Sequence, residues 1–380
     1  MTPHMLDVFY DDRVLRHQAG YGMAETAPSA LLEEQERHPE NEVRVRNMHS
    51  VLRRGPIAPW LRWHGGRPAT EDELATVHDR AYIAAIRELC ENGGGRLTAT
   101  TIVSEGSWEP LLVAAGTCLD AADSVLSGPA TTAFALVRPP GHHAQPAQAD
   151  GYCVFSHAAL VAQRARDHGV ERVAIVDWDV HHGNGTQECF YDRPDVLTVS
   201  IHMAHGAWGP SHRQTGHPDE VGTGAGAGYN VNVELPVGAG DSAYTGALRE
   251  VIAPVLRQFR PGLIVGACGQ DASAFDPCGR HNVTMAGFHA LGSGLRALAD
   301  ELTGGRTVLV QEGGYARSYA AFCLHALLEG LLGRERELAD PLAYVPDNTQ
   351  LTAPALRRVA EHIAPYWKEL ASDDADADLA

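Results

Sequence analysis

The sequence predicts an α/β fold, a single domain around a central, mostly parallel sheet. Short runs rich in Val, Ile and Leu alternate with stretches of helical periodicity, and polar clusters follow several of the runs. That alternation is what strands linked by crossover helices leave in a sequence. The 380 residues are 44% hydrophobic, enough for a sizeable core, and neither a repeat nor a linker divides them.

In chain order, strands are expected over Met5–Tyr10, Thr132–Val137, Arg172–Val176, Val196–His202, Tyr229–Val233, Leu263–Ala267 and Thr307–Gln311. Helices are expected over Pro110–Leu126, His157–His168, Ser242–Gln258, Thr284–Leu302 and Ser318–Leu332, with an extra C-terminal helix near Thr352–Ala364. That single domain then spans 1–371. The tail 372–380, SDDADADLA, is acidic and expected to be disordered.

In open α/β sheets, ligands bind beyond the carboxyl ends of the strands. Gly141-His142-His143, Asp177–Gly185, Gly269–Arg280 and Glu312–Tyr315 each follow a predicted strand. The polar groups therefore gather on one rim.

Charge and cysteine usage narrow the partners. A formal net charge of −18 argues against nucleic-acid binding, which needs clustered Lys and Arg. It is compatible with a cationic substrate. The seven cysteines are scattered without a CxxC pair, which reads as reduced thiols in a cytoplasmic protein. The N-terminal stretch has no basic region followed by an apolar run, so no secretory signal is expected. No run approaches the roughly 18 apolar residues of a membrane helix.

The stretch Ala174–Thr186 carries most of the chemistry. If the backbone stays extended, Asp177, Asp179 and His181 project to one face, because strand side chains alternate. Two carboxylates and an imidazole make a wall for a divalent metal, and zinc accepts both oxygen and nitrogen ligands. A catalytic zinc takes three protein ligands and an open position; the spacing offers Asp177 as one of them, and a ligand from another strand end is the alternative. Asp271, at another strand end, is the natural candidate. A lone Asp after a strand is more often a turn or cap residue. The joint occurrence with paired histidines and Gly-Gly-Tyr at other strand ends argues instead for a site. His142 and His143 suit acid–base work beside a metal, and the Tyr315 hydroxyl suits donation to a developing oxyanion.

Taken together, these segments resemble the histone deacetylase family, nearest its bacterial class II-like amidohydrolases and the related acetylpolyamine amidohydrolases. The resemblance runs from about Phe9 to Gly333. It rests on RPPGHHA (138–144), DGYCVFSHAAL (150–160), VDWDVHHGNGTQ (176–187), LTVSIH (197–202), GYNVNVELPVGAG (228–240), GQDASAFDP (269–277) and VQEGGY (310–315). It implies the arginase-deacetylase fold, with an eight-stranded sheet. It implies one zinc held by Asp179, His181 and Asp271, and catalytic roles for His142, His143, Tyr315, Asp177 and Asn184. Asp177 would orient His142, and Asn184 would partner His143. Asp177, Asp179, Ser200 and the backbone of His181 and Ile201 match a structural monovalent cation site for K⁺ or Na⁺. Gly151 and Tyr152 match the acyl-lysine channel, Trp208 and Gln270 are further channel candidates, and Arg44 matches an arginine near the acetate exit. Relatives often self-associate, so the resemblance is compatible with a homo-oligomer without fixing the oligomeric state.

The implied reaction is removal of an acetyl or other acyl group from an acylated amine such as acyl-lysine. The alternatives are an acetylpolyamine or other small-molecule deacetylase and, more remotely, a catalytically inactive acyl-group binding module. The sequence departs from the family at several points. Gln270 stands where an apolar residue is usual. No Asp lies between Gly93 and Ser104, where many relatives carry a rim carboxylate; Arg96 and Glu105 are nearby instead. Position 278 is Cys, near where polyamine-selective relatives place an acidic residue.

Overall fold

The apolar runs pair with one another and not with solvent. In the computed structural model, which describes residues 5–22, 29–204, 215–350 and 352–370, the strands are β1 Leu6–Phe9, β2 Leu61–His64, β3 Gly94–Arg96, β4 Ile102–Ser104, β5 Thr132–Ala135, β6 Val173–Asp177, β7 Val196–Met203, β8 Asn230–Leu235, β9 Leu263–Cys268 and β10 Thr307–Gln311. Eight form one sheet in the order β2-β1-β5-β10-β9-β6-β7-β8. Every pairing in it is parallel. Every residue of β6, β7, β9 and β10 is buried, as expected for a parallel sheet covered on both faces.

The helices are α1 Glu42–Arg54, α2 Glu71–Leu74, α3 Arg80–Glu91, α4 Trp108–Leu126, α5 His157–Asp167, α6 Asn184–Phe190, α7 Asp241–Gly246, α8 Ala253–Phe259, α9 Met285–Leu302, α10 Tyr319–Leu331 and α11 Thr352–Ile363. They flank the sheet in packed groups: α4 lies against α5, β1 and β5, while α10 lies between α1 and α9. Helix α11 packs on the edge strand β8, and Trp367 Nε1 donates to the Gly228 carbonyl at 2.9 Å.

The expected helix over Ser242–Gln258 resolves as α7, a wide π turn over Ala247–Ile252, and α8. Pro254 sits in the first turn of α8 and cannot donate to the turn before it, which accounts for the interruption. A second, smaller core ties α2, α3 and the β3–β4 hairpin to α4 through Leu74, Ile83, Ile86, Val103, Leu111 and Phe155.

Strand order places the site. The chain passes from β5 across two positions to β6, and β9 and β10 later fill the gap. The segments leaving β5, β10, β9 and β6 are therefore neighbours. Register sets them level: Asp177 lies beside Ala267, and Cys268 beside Gln311. This is the switch point at which such sheets take ligands.

Beside that rim is a fully buried ionic cluster of Glu40, Arg44 and Arg138. Arg138 grips both Glu40 oxygens, at 2.9 and 2.6 Å, and Arg44 Nε donates to one of them at 3.3 Å. Burial would raise the Glu40 carboxyl, but Arg138 and Arg44 hold it at about 2, below its ordinary 4.5. A depressed carboxyl stabilises the fold fully above its unfolded value, and that stabilisation is lost as pH falls toward 2. Glu40→Gln leaves two buried guanidinium groups uncompensated. It is expected to cost about 3–5 kcal/mol, read as a lower denaturant midpoint near neutral pH. A midpoint within error of wild type would contradict it.

Candidate active site

Strand β6 ends at Asp177, and Asp179 and His181 lie beyond it, so they do not project by strand alternation. They converge because each side chain caps the backbone two residues on. Asp177 Oδ1 accepts from Asp179 N at 3.0 Å, and Asp179 Oδ1 accepts from His181 N at 3.0 Å. These successive Asx turns curl the chain at the strand end. Asp271, just beyond β9, closes the group: its Oδ1 accepts from Val180 N at 2.9 Å. His181 Nδ1 then lies 3.0 Å from Asp179 Oδ1 and 3.1 Å from Asp271 Oδ2. One candidate ligand atom from each of the three residues lies within 4.8 Å of the others.

The electrostatics ask for a cation. Burial and the Asp179 charge push the Asp271 carboxyl up to about 7. Burial alone would depress His181, but hydrogen bonds to Asp179 and Asp271 push it up to about 10. Two buried carboxylates that repel each other and an imidazole drawn toward positive charge fit a divalent metal at their centre. Gly313 lets the neighbouring loop close over them. A Cβ there would lie 2.2 Å from Asp271 Oδ2 and 2.6 Å from Asp179 Oδ2, and Gly313 N donates to Asp179 Oδ2 at 2.8 Å.

The paired histidines stand beside this group with ring centroids 4.0 Å apart. His142 Nδ1 is 2.8 Å from Asp177 Oδ2, and its Nε2 is 3.6 Å from Asp179 Oδ1. His143 Nδ1 is 2.6 Å from Asn184 Oδ1. The two environments separate their basicity. Burial lowers His142, but Asp179 and Asp177 raise it well above the ordinary range. Burial and the His142 charge push His143 down to about 3. Tyr315 faces Tyr152 edge-on at 5.5 Å, and the Arg44 guanidinium lies 5.3 Å from the Tyr315 ring centre.

Residues 38–331 match the model of the histone deacetylase domain. The chain belongs to the histone deacetylase family. Histone deacetylase 8 of Arabidopsis thaliana is 49% identical over 351 residues, covering 91% of this chain and 93% of that protein. A histone deacetylase-like amidohydrolase of Pseudomonas aeruginosa is 38% identical over 342 residues, covering 88% of each. The crystal structure of the HDA15 HD domain is similar at a TM-score of 0.84 and 32% identity, covering 97% of this chain and 96% of that one. Deacetylase membership and an eight-stranded, helix-flanked sheet are thus shown together.

Gly151, Tyr152, Ser200 and Ile201, the other expected site positions, have distinct surroundings. Gly151 packs on His143, where a Cβ would lie 2.1 Å from Cδ2 at a φ of +46°. Tyr152 holds a φ of 71° and stacks edge-on to His38 at 4.6 Å. A bulky residue in the left-handed region is a strained backbone of the kind functional sites retain. Ser200 lies beside Asp177 in register, and its hydroxyl accepts from Gly183 N at 3.3 Å. The side chain of Ile201 is core.

Gln270 corrects an expectation. It does not present its amide to a channel wall: it is fully buried, donates to the Cys268 carbonyl at 3.0 Å and accepts from Gln311 Nε2 at 2.8 Å. A polar pair on adjacent strand ends replaces an apolar contact there. Arg96 is exposed and bonds to the Ala99 carbonyl. Trp208 and the tail 372–380 lie outside the described residues.

Three acidic residues escaped the sequence reading. Asp276 Oδ2 accepts from Tyr315 N at 2.7 Å and Ala316 N at 2.8 Å, which holds the tyrosine loop. Glu312 Oε2 accepts from Gly141 N at 2.5 Å and His142 N at 3.1 Å, and burial pushes its carboxyl up to about 8. Asp150 meets Asn184. All three lie inside the quoted motifs, and their acidic character beside the candidate site residues was the available signal.

Proposed function

We propose that this chain is a zinc-dependent amidohydrolase that removes an acetyl or other acyl group from an acylated amine such as acyl-lysine. The observation that carries the reading is one convergence. Asp179, His181 and Asp271 draw together beside two histidines held by Asp177 and Asn184, and Tyr315 lies two residues beyond the Gly313 that closes over the carboxylates. Asp179, His181 and Asp271 would hold the zinc, which when bound polarises the acyl carbonyl and acidifies water.

The chain's own residues do the rest. His143, with Nδ1 on Asn184, takes the proton of the attacking water on Nε2 and later returns it to the leaving amine nitrogen. His142, braced by Asp177, holds positive charge next to the reacting centre. Tyr315 donates its hydroxyl to the carbonyl oxygen as that oxygen gains charge. Gly151 and Tyr152 line the path of the acylated side chain. Arg44, between Glu40 and the tyrosine loop, receives the carboxylate product. Asp177, Asp179 and Ser200, with the backbone of His181 and Ile201, would hold a structural K⁺ or Na⁺. A cytoplasmic location fits the seven free thiols. No helix among the described residues is long and apolar enough to cross a membrane.

Human polyamine deacetylase HDAC10 is 37% identical over 321 residues, which span 47% of its length, so small acylated amines belong in the test. Zinc-loaded protein should be screened on acetyl-lysine and trifluoroacetyl-lysine peptides and on acetylpolyamines, with and without a hydroxamate. Hydrolysis of at least one, blocked by the hydroxamate, is expected. Stoichiometric zinc with no hydrolysis across the panel would point to an acyl-group binding module instead.

A further inference from the structure

The residue behind Asn184 is a carboxylate. Asn184 Oδ1 lies 2.6 Å from His143 Nδ1, and on its other side Asn184 Nδ2 donates to Asp150 Oδ2 at 3.2 Å. The second Asp150 oxygen accepts from Gly151 N at 2.9 Å. An asparagine amide is nearly symmetric in shape but not in chemistry: one end donates and the other accepts. Turned over, it would present its NH₂ to His143, and the imidazole would answer with a bare Nδ1 and a proton on Nε2. That tautomer has no lone pair for the water. A carboxylate accepts and does not donate, so it admits only the NH₂ end of Asn184. The carbonyl end must then face His143, which must carry its proton on Nδ1.

We propose that Asp150 is a positioning residue for the reaction: its carboxylate fixes which way the Asn184 amide faces, and so sets His143 with its proton on Nδ1 and its Nε2 lone pair toward the reacting water. The inference rests on the deacylase reading above, in which His143 moves the proton. Where the partner of such a histidine is an aspartate, no third residue is required, because both of its ends accept. An asparagine leaves the choice of tautomer open, and Asp150 closes it.

The geometry around Asp150 makes the idea testable. Its backbone is anchored without the side chain: Asp150 N donates to the Cys153 carbonyl at 3.1 Å, and Cys153 N to the Asp150 carbonyl at 2.6 Å. Its side chain borders a surface hollow shared with Asn184 and Gln187, not the apolar core. Asp150→Ala removes the carboxylate and keeps this backbone pairing, and the double-mutant cycle separates its contact with Asn184 from its other contacts.

The experiment is a cycle with Asn184→Asp, with zinc content and thermal melting recorded for each protein. In the wild-type background, Asp150→Ala should lower kcat about 10–100-fold, the range typical of partners that orient active-site ligands, with KM within about twofold. In the Asn184→Asp background the effect should vanish or reverse. Residue 184 then accepts on both ends, and removing Asp150 relieves two adjacent like charges. An equal fall in both backgrounds would assign Asp150 a structural role and overturn the proposal, as would no fall in the first. If a variant does not fold, the ring nitrogen-15 shifts of His143 in wild-type protein decide, assigned by difference from His143→Gln. A protonated Nδ1 is expected, and a protonated Nε2 overturns it. That tautomer is read whether or not any substrate is found. A wild type inactive on every acylated amine would count against the function and not against the orientation of the pair.

Discussion

Asp271→Asn should strip the metal and silence hydrolysis while leaving the metal-free protein more stable than metal-free wild type. The change is nearly isosteric and keeps an oxygen for the Val180 N–H, which Asp271 Oδ1 now accepts at 2.9 Å. It removes one of two buried carboxylates facing each other across His181. Removing a ligand itself should weaken metal binding by more than the roughly 10–100-fold that supporting partners cost. Stability moves the other way. Burial and Asp179 raise the Asp271 carboxyl to about 7 from an ordinary 3.8, so the folded, metal-free chain holds that proton more tightly than the unfolded one. Its stability therefore falls as pH rises through that window. Asparagine carries no such cost. In chelator, the variant should melt above wild type at pH 8, and the gap should close near pH 4. Metal analysis and calorimetry across pH check both halves. A variant that keeps stoichiometric zinc would remove Asp271 from the ligand set.

Tyr315→Phe should lower kcat about 10²–10³-fold with zinc content and KM close to wild type. The hydroxyl is asked to donate only as the carbonyl oxygen becomes anionic, so its loss falls on the transition state and spares the ground state. The ring should stay in place. It is held edge-on by Tyr152 at 5.5 Å, and its loop is pinned by Asp276 through the Tyr315 and Ala316 N–H groups. Those contacts survive in phenylalanine. Steady-state kinetics and metal analysis on the same preparation make the check. Wild-type turnover would leave the oxyanion without this donor.

Much of this architecture is readable from residue pattern. The central strands Val173–Asp177, Leu263–Cys268 and Thr307–Gln311 are buried on both faces, so their sequences are nearly continuous apolar runs. The polar motifs after them mark where the chain leaves the sheet. Other parts left weaker traces. Edge strand Leu61–His64 is short, and its Arg62 side chain reaches out to Asp7. Helix Arg80–Glu91 buries only Ile83, Ile86 and Cys90, against the smaller core. Helix Glu42–Arg54 buries Arg44 as well as Val45, Met48 and Leu52, so a charged residue interrupts its apolar stripe.

At the site, the ligand motif is legible, but the reason for its convergence is not. Strand alternation predicts Asp177, Asp179 and His181 on one face, whereas side-chain-to-backbone turns bring them together after the strand has ended. Gln270 looked like a channel residue because of its neighbour Asp271. Only the pairing of β9 with β10 reveals Gln311 as its partner. Asp150 was invisible for the same reason: its partner Asn184 is distant in sequence.

The most direct test of the account is zinc titration of chelator-treated protein, with acetyl-lysine or acetylpolyamine hydrolysis read at each addition. The account predicts activity rising in proportion to bound zinc and reaching its limit at one ion per chain, with no rise in Asp271→Asn. Full activity in the metal-free protein, or saturation at one zinc per chain in a variant lacking Asp179, His181 and Asp271, would contradict it.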